Sequence, residues 1–250
     1  MGRPATNPAR PRMIEWAGAA AIGMVAVLVL ASGAHAQGSP ELPASRIPDL
    51  SQVFVLFFVM LGPIKIIAPF AVMMTDADEK TCRRLAIRAF AIASVTTLIA
   101  AAAGRAILEN WHVSLGALLI AGGVILFLVA LRLVLQQYAP APEAEAHPPD
   151  PASAGAAIRL AFPTIVTPYG IATVIIILSV SPNALYVVGV VVALIGVMVL
   201  NLLAMLYARS ILKVVGTMPL QIVGAVLSVL QVALGVQMIL GGLRMIGVLE

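Results

Sequence analysis

The sequence is poor in charge. Of its 250 residues, only 10% are Asp, Glu, Lys or Arg, whereas 61% are hydrophobic. Water-soluble domains carry about 25% charged residues, so this composition excludes a soluble globular protein. It also excludes an intrinsically disordered chain, which needs low hydrophobicity. The net charge of +4 comes from basic residues at the ends of apolar stretches and does not indicate nucleic-acid binding. We therefore expect an integral protein of a lipid bilayer.

Cysteine and histidine are scarce as well. Cys82 is the single cysteine, and His35, His112 and His147 lie far apart in the chain. This excludes an internal disulfide and provides no spacing typical of a metal site. The sequence has no Gly-x-x-x-x-Gly-Lys-Ser/Thr loop, which argues against an ATP-driven pump. It also has no convergent acid, base or metal set, so we expect no cofactor, no metal and no enzymatic activity.

The N-terminus has the features of a secretory signal peptide. Three arginines within residues 1–18 precede an apolar run at 19–31, and an Ala-His-Ala site follows at 34–36. This pattern predicts a cleaved signal peptide over residues 1–36. The alternative is an uncleaved extra span, but the run is shorter than the roughly 20 residues that a spanning helix needs. In either case the following segment lies outside the cytoplasm.

Six longer apolar stretches follow the signal segment. Each is long enough to cross about 30 Å of hydrocarbon as an α-helix, which satisfies its own backbone hydrogen bonds in lipid. We therefore predict an all-α membrane protein with six transmembrane helices. The predicted spans are Leu50–Met74, Leu85–Leu108, Ser114–Leu135, Ile158–Val180, Leu185–Ala208 and Leu220–Leu243.

Basic residues are distributed unevenly between the two sides of these spans. One side carries Lys80, Arg83, Arg84, Arg88, Arg132, Arg159, Arg209 and Lys213. The other side carries only Arg46, Arg105 and Arg244. Lys and Arg are retained in the cytoplasm, so the richer side is predicted to be cytoplasmic. We expect a bacterial inner-membrane protein whose mature termini are both periplasmic.

A segment rich in Pro and Ala divides the six spans into two sets of three. Residues 138–157 show no periodicity and are predicted to form a flexible cytoplasmic linker. It separates an N-terminal half, 37–137, from a C-terminal half, 158–250. Because each half has an odd number of spans, the second half crosses the bilayer in the opposite sense. Such inverted repeats are typical of secondary transporters, whose sites lie near the midplane where broken helices meet.

The first and fourth spans carry matching proline interruptions. The first has Gly62-Pro63 and Pro69, and the fourth has Pro163 and Pro168. Proline removes a backbone donor and clashes with the carbonyl one turn back, so each pair is predicted to kink or unwind its helix. Half-helices that begin after Pro69 and Pro168 would direct their positive ends at a substrate carboxylate. The alternative is that these prolines are only packing kinks.

Three segments resemble the MarC-type family of integral membrane proteins. They are LLIAGGVILFLVALRLVL at 118–135, LAFPTIVTPYGIATVIII at 160–177 and VALGVQMILGGL at 232–243. The resemblance implies a six-helix inner-membrane carrier of a small polar metabolite, such as a neutral amino acid. Both interrupted segments depart from the family's motifs. Lys65 stands where the family has Gly, and Thr167 precedes Pro168 where Gly is usual.

Lys65 is the only formal charge deep in a predicted span. An isolated ammonium there costs at least a few kcal/mol unless it is solvated, paired or neutral. One interpretation places Lys65 in an aqueous cavity facing a substrate carboxylate. The alternative is that carbonyls freed at the break accept its hydrogen bonds, or that a lowered pKa leaves it neutral. The full set of candidate substrate-binding residues is Pro63, Lys65, Pro69, Thr164, Thr167, Pro168, Tyr169, Gly170 and Asn201. For Asn201, and for Gln231 in the last span, an interhelical hydrogen bond is the simpler explanation.

These observations predict a secondary transporter whose halves rock about a site at the two breaks. Its partners would be the bilayer, a small-molecule substrate and, where transport is coupled, an ion, but no nucleic acid. The alternatives are a non-transporting membrane scaffold or assembly partner and, third, an embedded enzyme. The sequence leaves the substrate, the direction of transport and any homo-oligomer open.

Overall fold

The computed structural model describes residues 48–75, 77–136 and 155–249, and these ranges are helical with short connections. The helices are α1 (Leu50–Leu61), α2 (Ile64–Met73), α3 (Glu79–Trp111), α4 (Leu115–Gln136), α5 (Ala156–Arg159), α6 (Pro168–Ser179), α7 (Ala184–Val215) and α8 (Thr217–Met245). A π-helical segment, Leu160–Ile165, joins α5 to α6. The predicted signal peptide, 1–36, and most of the predicted linker, 138–157, lie outside the described residues. Helix α5 begins inside the predicted linker.

Five helices in the described ranges are long and apolar enough to cross a membrane, or six when the bent fourth span is counted as one. Helices α1 and α2 together form the first span, and α3, α4, α7 and α8 each form one further span. The fourth span is α5 with the π-helical segment and α6, bent by 60°. The predicted all-helical, multi-pass membrane protein is confirmed.

Helix α3 extends further than its predicted span. It begins at Glu79 rather than at Leu85, so Lys80, Arg83 and Arg84, which precede the predicted span, lie on the helix itself. Asp78 occupies the N-cap position and Glu79 the first turn, where carboxylates favour a helix start because of its positive dipole end. The polar sequence that predicts a loop is therefore a helix terminus.

The spans differ in how deeply they are packed. The first span is 56% buried inside the protein, whereas the spans of α4 and α8 are each 22% buried. Helices α1 and α2 pack on α7, and α3 packs on the fourth span. Large buried side chains such as Phe57 and Met198 fill the space between them. The broken spans thus lie at the centre, and α4 and α8 lie at the side.

Helices α4 and α8 form an antiparallel pair held at close range by glycines. A Cβ on Gly123 would lie 2.7 Å from the Gly235 carbonyl oxygen, and one on Gly242 would lie 2.6 Å from that of Gly116. The later residue of α4 therefore meets the earlier residue of α8. In both helices the two glycines are seven residues apart, which is the repeat of a coiled-coil seam. Small residues at such a seam let two membrane helices approach closely.

The first span breaks where Gly62-Pro63 predicts. Helix α1 ends at Leu61, and Gly62 is extended with φ −66° and ψ 155°. The second interruption, predicted at Pro69, is wrong, since α2 runs without a break through Pro69 from Ile64 to Met73. Pro69 deletes only the donor to the Lys65 carbonyl, and the rest of the α2 ladder is kept. The half-helix therefore begins after Pro63.

The fourth span breaks as predicted. Phe162 departs from helical geometry with φ −134° and ψ 129°, and the Phe162–Pro163 peptide bond is cis. Val166 and Thr167 are extended, and α6 then begins with Pro168 in its first turn. A proline is tolerated there because the first helical N–H groups have no partner within the helix. Both interrupted spans thus present a helix start inside the protein.

Candidate functional site

The end of α1 leaves backbone carbonyls without helical partners. The last four carbonyls of any helix lack an internal donor, and Pro63 has no N–H to give the Val59 carbonyl four residues before it. The Gln231 side chain of α8 supplies this donor, with Nε2 at 2.6 Å from the Val59 oxygen. A side chain from a distant helix thus satisfies the carbonyl that the proline frees.

The next two carbonyls are met in a similar way. Asn201 on α7 donates from Nδ2 to the Leu61 oxygen at 2.8 Å and to its own Val197 oxygen at 3.0 Å. Lys65 Nζ lies 3.5 Å from the Met60 oxygen. Three successive carbonyls therefore have side-chain donors from three different helices. The interhelical hydrogen bond expected for Asn201 is present.

Lys65 also connects the two broken spans. Its Nζ donates to Tyr169 Oη at 3.0 Å, across 104 residues of sequence. The same nitrogen lies 5.4 Å from the ring centroid, so it sits at the hydroxyl end of Tyr169 rather than close over the ring face. Lys65 is half-buried and Tyr169 is buried. An ammonium has three donors, and these two contacts to neutral oxygens occupy two of them.

The start of α6 lies against the end of α1. Thr167 is the N-cap, and its Oγ1 accepts a hydrogen bond from the Gly170 amide at 3.2 Å. A Cβ on Gly170 would lie 2.6 Å from a methyl carbon of Leu61, so glycine permits this close approach. The negative dipole end of α1 thereby faces the positive end of α6. Thr173, one turn further along α6, donates to the Tyr169 carbonyl at 2.8 Å.

Two buried oxygens around the break have no hydrogen-bond partner among the described residues. They are Oδ1 of Asn201, which is 1% exposed, and Oε1 of Gln231, which is 0% exposed. Both amides must direct their NH₂ groups at carbonyls, so exchanging oxygen and nitrogen would leave those contacts unsatisfied. A buried acceptor without a donor costs about 1–3 kcal/mol. These two oxygens can therefore accept hydrogen bonds from a bound molecule.

The structure brings most, but not all, of the predicted site residues together. Those around the end of α1 are Pro63, Lys65, Thr167, Tyr169, Gly170 and Asn201. Pro69 and Pro168 are exposed on their helices. Thr164 is turned toward its own segment, with Oγ1 at 3.4 Å from the Arg159 oxygen.

The sequence does not predict that Val59 and Met60 take part in the site, and for Gln231 it predicts only an interhelical hydrogen bond. For Val59 the signal was available, because Pro63 must free the carbonyl four residues before it. Nothing in the sequence says which side chain supplies the missing donor. Within the described ranges no three His, Cys, Asp or Glu side chains are grouped closely enough to hold a metal ion.

Comparison with known proteins places the chain in a family. A family model described as MarC family integral membrane protein matches residues 47–247. The chain belongs to the MarC family of integral membrane proteins. The matched range contains every helix described above, including both breaks. The resemblance inferred from the sequence segments is therefore confirmed.

Two archaeal relatives of this MarC protein match over most of their length. The UPF0056 membrane protein PH0214 of Pyrococcus horikoshii is 27% identical over 189 residues, which cover 75% of this chain and 90% of the relative. The UPF0056 membrane protein MJ1677 of Methanocaldococcus jannaschii is 28% identical over 203 residues, covering 77% and 97%. No solved structure matches the chain. The relatives support membrane location, and their names state no substrate.

Proposed function

We propose that this MarC protein is a secondary transporter of the bacterial inner membrane that carries a small polar metabolite, such as a neutral amino acid. The observation that carries the proposal is the 3.0 Å hydrogen bond between Lys65 Nζ and Tyr169 Oη. It joins the first and fourth spans at their breaks. Broken helices that meet inside a membrane protein are the usual setting of a transporter's binding site.

The groups at the breaks match a zwitterionic ligand. Lys65 and the N-terminal ends of α2 and α6 provide positive charge for a carboxylate. The amide oxygens of Asn201 and Gln231 provide buried acceptors for an ammonium group. A small neutral amino acid carries both groups, whereas a purely anionic or purely cationic solute would use one set only. A coupling ion, where there is one, would use these same oxygens.

The packing of the spans supports the two inverted halves. Exchanging the halves converts the first span into the fourth, the second into the fifth and the third into the sixth. The contact of the first span with α7 then becomes the contact of the fourth span with α3, and both contacts are made. The α4–α8 pair converts into itself. In the proposed orientation both mature termini are periplasmic and the linker is cytoplasmic.

Substrate binding would change the link between the halves. A charged carboxylate is a stronger acceptor for an ammonium than a neutral phenol, so a bound substrate would displace the Tyr169 hydroxyl from Lys65. The direct hydrogen bond between the broken spans would then be replaced by one through the substrate. This allows the halves to rock when the site is filled, as alternating access requires.

A non-transporting membrane scaffold is the second candidate. It is favoured by the freed carbonyls of Val59 and Leu61, which protein side chains already satisfy. A scaffold would need no more than this to keep its broken helix stable. It would not need the unpaired acceptors of Asn201 and Gln231 or the ammonium of Lys65 at the same place. The carrier accounts for both sets of groups.

Transport by the purified full chain in proteoliposomes tests the proposal. Small neutral amino acids would be screened as labelled solutes, with and without ion gradients. We expect saturable flux that falls about tenfold or more in Lys65→Met, because a charge-assisted hydrogen bond to the substrate is lost. Lys213→Met, an exposed cation at the end of α7, is the matched control and should keep full flux. Absence of saturable flux for every solute would favour the scaffold. Saturable flux that is undiminished in Lys65→Met would instead contradict a substrate site at Lys65.

A further inference from the structure

The first turns of α3 carry a stripe of basic side chains. Lys80, Arg84 and Arg88 are spaced four residues apart, which places them next to one another on one face of the helix. All three side chains are exposed. We call these three residues the basic stripe.

This arrangement is unfavourable for the isolated helix on two counts. Like charges four residues apart repel each other. In addition, the stripe lies near the N-terminus of α3, where the positive end of the helix dipole disfavours cations. Glu79 does not relieve the repulsion on this face, since it precedes Arg83 by four residues and is aligned with that side chain instead. An anion from outside the helix would relieve this repulsion.

The same face of α3 continues as an apolar surface. Val95 and Ile99 follow Arg88 at helical spacing and are 55% and 62% exposed. From the N-terminus of α3 onward, this side of the helix therefore carries cations first and aliphatic side chains next. The start of α3 is also fixed in place, because Arg209 of α7 donates to the Ala77 carbonyl at 2.6 Å. The face is presented by a helix whose position is set by the rest of the protein.

We propose that the basic stripe binds the phosphate of an anionic phospholipid whose acyl chains lie along Val95 and Ile99. Guanidinium groups match phosphate oxygens with paired N–H donors. Arg88 lies about 14 Å along α3 from Glu79 at 1.5 Å per residue, and its long side chain extends back to the level of the headgroups. Clusters of Lys and Arg next to a membrane span attract anionic lipids. This inference does not depend on the proposed transport.

Thermal unfolding of the full chain in neutral detergent tests the lipid site. Adding phosphatidylglycerol should raise the unfolding temperature more than adding phosphatidylcholine. In the Arg84→Gln, Arg88→Gln double variant most of this difference should be lost, and the single variant Arg84→Gln should lose part of it. In phosphatidylcholine alone the variants should unfold at or above the temperature of the parent protein, because like-charge repulsion is relieved. Arg244→Gln, an exposed arginine at the end of α8, should keep the whole difference.

Four results would overturn the lipid site. The first is an equal response of the parent protein to the two lipids, and the second is an undiminished response in Arg84→Gln and in the double variant. The third is a full response to inorganic phosphate at the same phosphate concentration, which would assign the stripe to a soluble anion. A double variant that unfolds earlier in phosphatidylcholine would show that the stripe stabilises the helix by itself, again against the proposal.

Discussion

The two helix breaks are stabilised in different ways. At the first break, the carbonyls of Val59 and Leu61 receive hydrogen bonds from side chains 172 and 140 residues away in sequence. At the second break, the partners are neighbours in the chain. Thr167 Oγ1 accepts from the Gly170 amide, and the Val166 amide donates to the Ala161 carbonyl at 2.8 Å. The first break therefore depends on the packing of α7 and α8, whereas the hydrogen bonds of the second break come from its own segment of the chain.

This difference shows which break responds to a movement of the halves. If α7 or α8 shifts relative to α1, the carbonyls of the first break lose their donors, and the cost of exposing them depends on what replaces those donors. The second break keeps its hydrogen bonds in any such movement. In a carrier, the hydrogen bonds of the first break would therefore change when the halves move. Those of the second break would stay the same and keep Tyr169 in a fixed position.

The largest effect that separates the breaks is expected from Gly62→Ala. A Cβ at this position would overlap the backbone carbonyl oxygen of Phe58, which belongs to α1 and has no freedom to move aside. Overpacking costs about 1–3 kcal/mol and occasionally more, and an overlap with fixed backbone is expected near the upper end, at about 3 kcal/mol. We expect a loss of that size in the free energy of unfolding, measured by denaturant titration of the purified protein in mild detergent.

Two further alanine variants make this result specific to the first break. At Gly170, by the second break, the nearest atom is the end of the flexible Leu61 side chain, so Gly170→Ala should cost clearly less. At Gly224 nothing lies within 4 Å, and Gly224→Ala should be neutral or stabilising by about 0.5–1 kcal/mol through helix propensity. Equal losses at Gly62 and Gly170 would contradict the distinction between a fixed backbone neighbour at the first break and a flexible side chain at the second.

Asn201→Leu should have the next largest effect. The substitution keeps a similar volume but removes the donor to the Leu61 carbonyl, which is left buried without a partner. Such a group costs about 1–3 kcal/mol, and removal of the unpaired Asn201 Oδ1 offsets part of this cost. We therefore expect a net loss of about 1–2 kcal/mol in the free energy of unfolding. Ser228→Ala is the control, because Ser228 only donates to the Gly224 carbonyl of its own helix, and its loss should cost under about 0.5 kcal/mol. If both variants lost the same stability, the carbonyl of the first break would not depend on α7.

Much of this fold follows from the sequence because membrane spans obey a simple constraint. A long apolar run has to close its own hydrogen bonds in lipid, so helices and their number are predictable from composition. Gly62-Pro63 also predicts its break, since proline cannot donate to Val59. Pro69 shows the limit of this reasoning. Both prolines delete one donor, but only the first is accompanied by a glycine and by outside side chains that stabilise an open helix end.

The site is less predictable than the fold because it depends on contacts across the chain. Lys65 and Tyr169 were expected near the breaks from their positions beside prolines, but their hydrogen bond depends on how two spans pack. Asn201 and Gln231 were expected to bond between helices, and the sequence does not say that both would meet one helix end. Pairing of this kind depends on which residues of neighbouring helices lie at the same depth in the bundle, and hydropathy alone does not determine this.

The smallest of these effects is expected at the second break, from Thr167→Ala. The change removes the side-chain acceptor for the Gly170 amide and so removes the N-cap of α6. Loss of a threonine cap costs about 1 kcal/mol, and denaturant titration should show a loss of that order. Thr167→Ser keeps a hydroxyl cap and should lie within about 0.5 kcal/mol of the parent protein. A cost for Thr167→Ala clearly larger than that of Asn201→Leu would mean that the second break also depends on tertiary contacts, because a local cap contributes only one hydrogen bond.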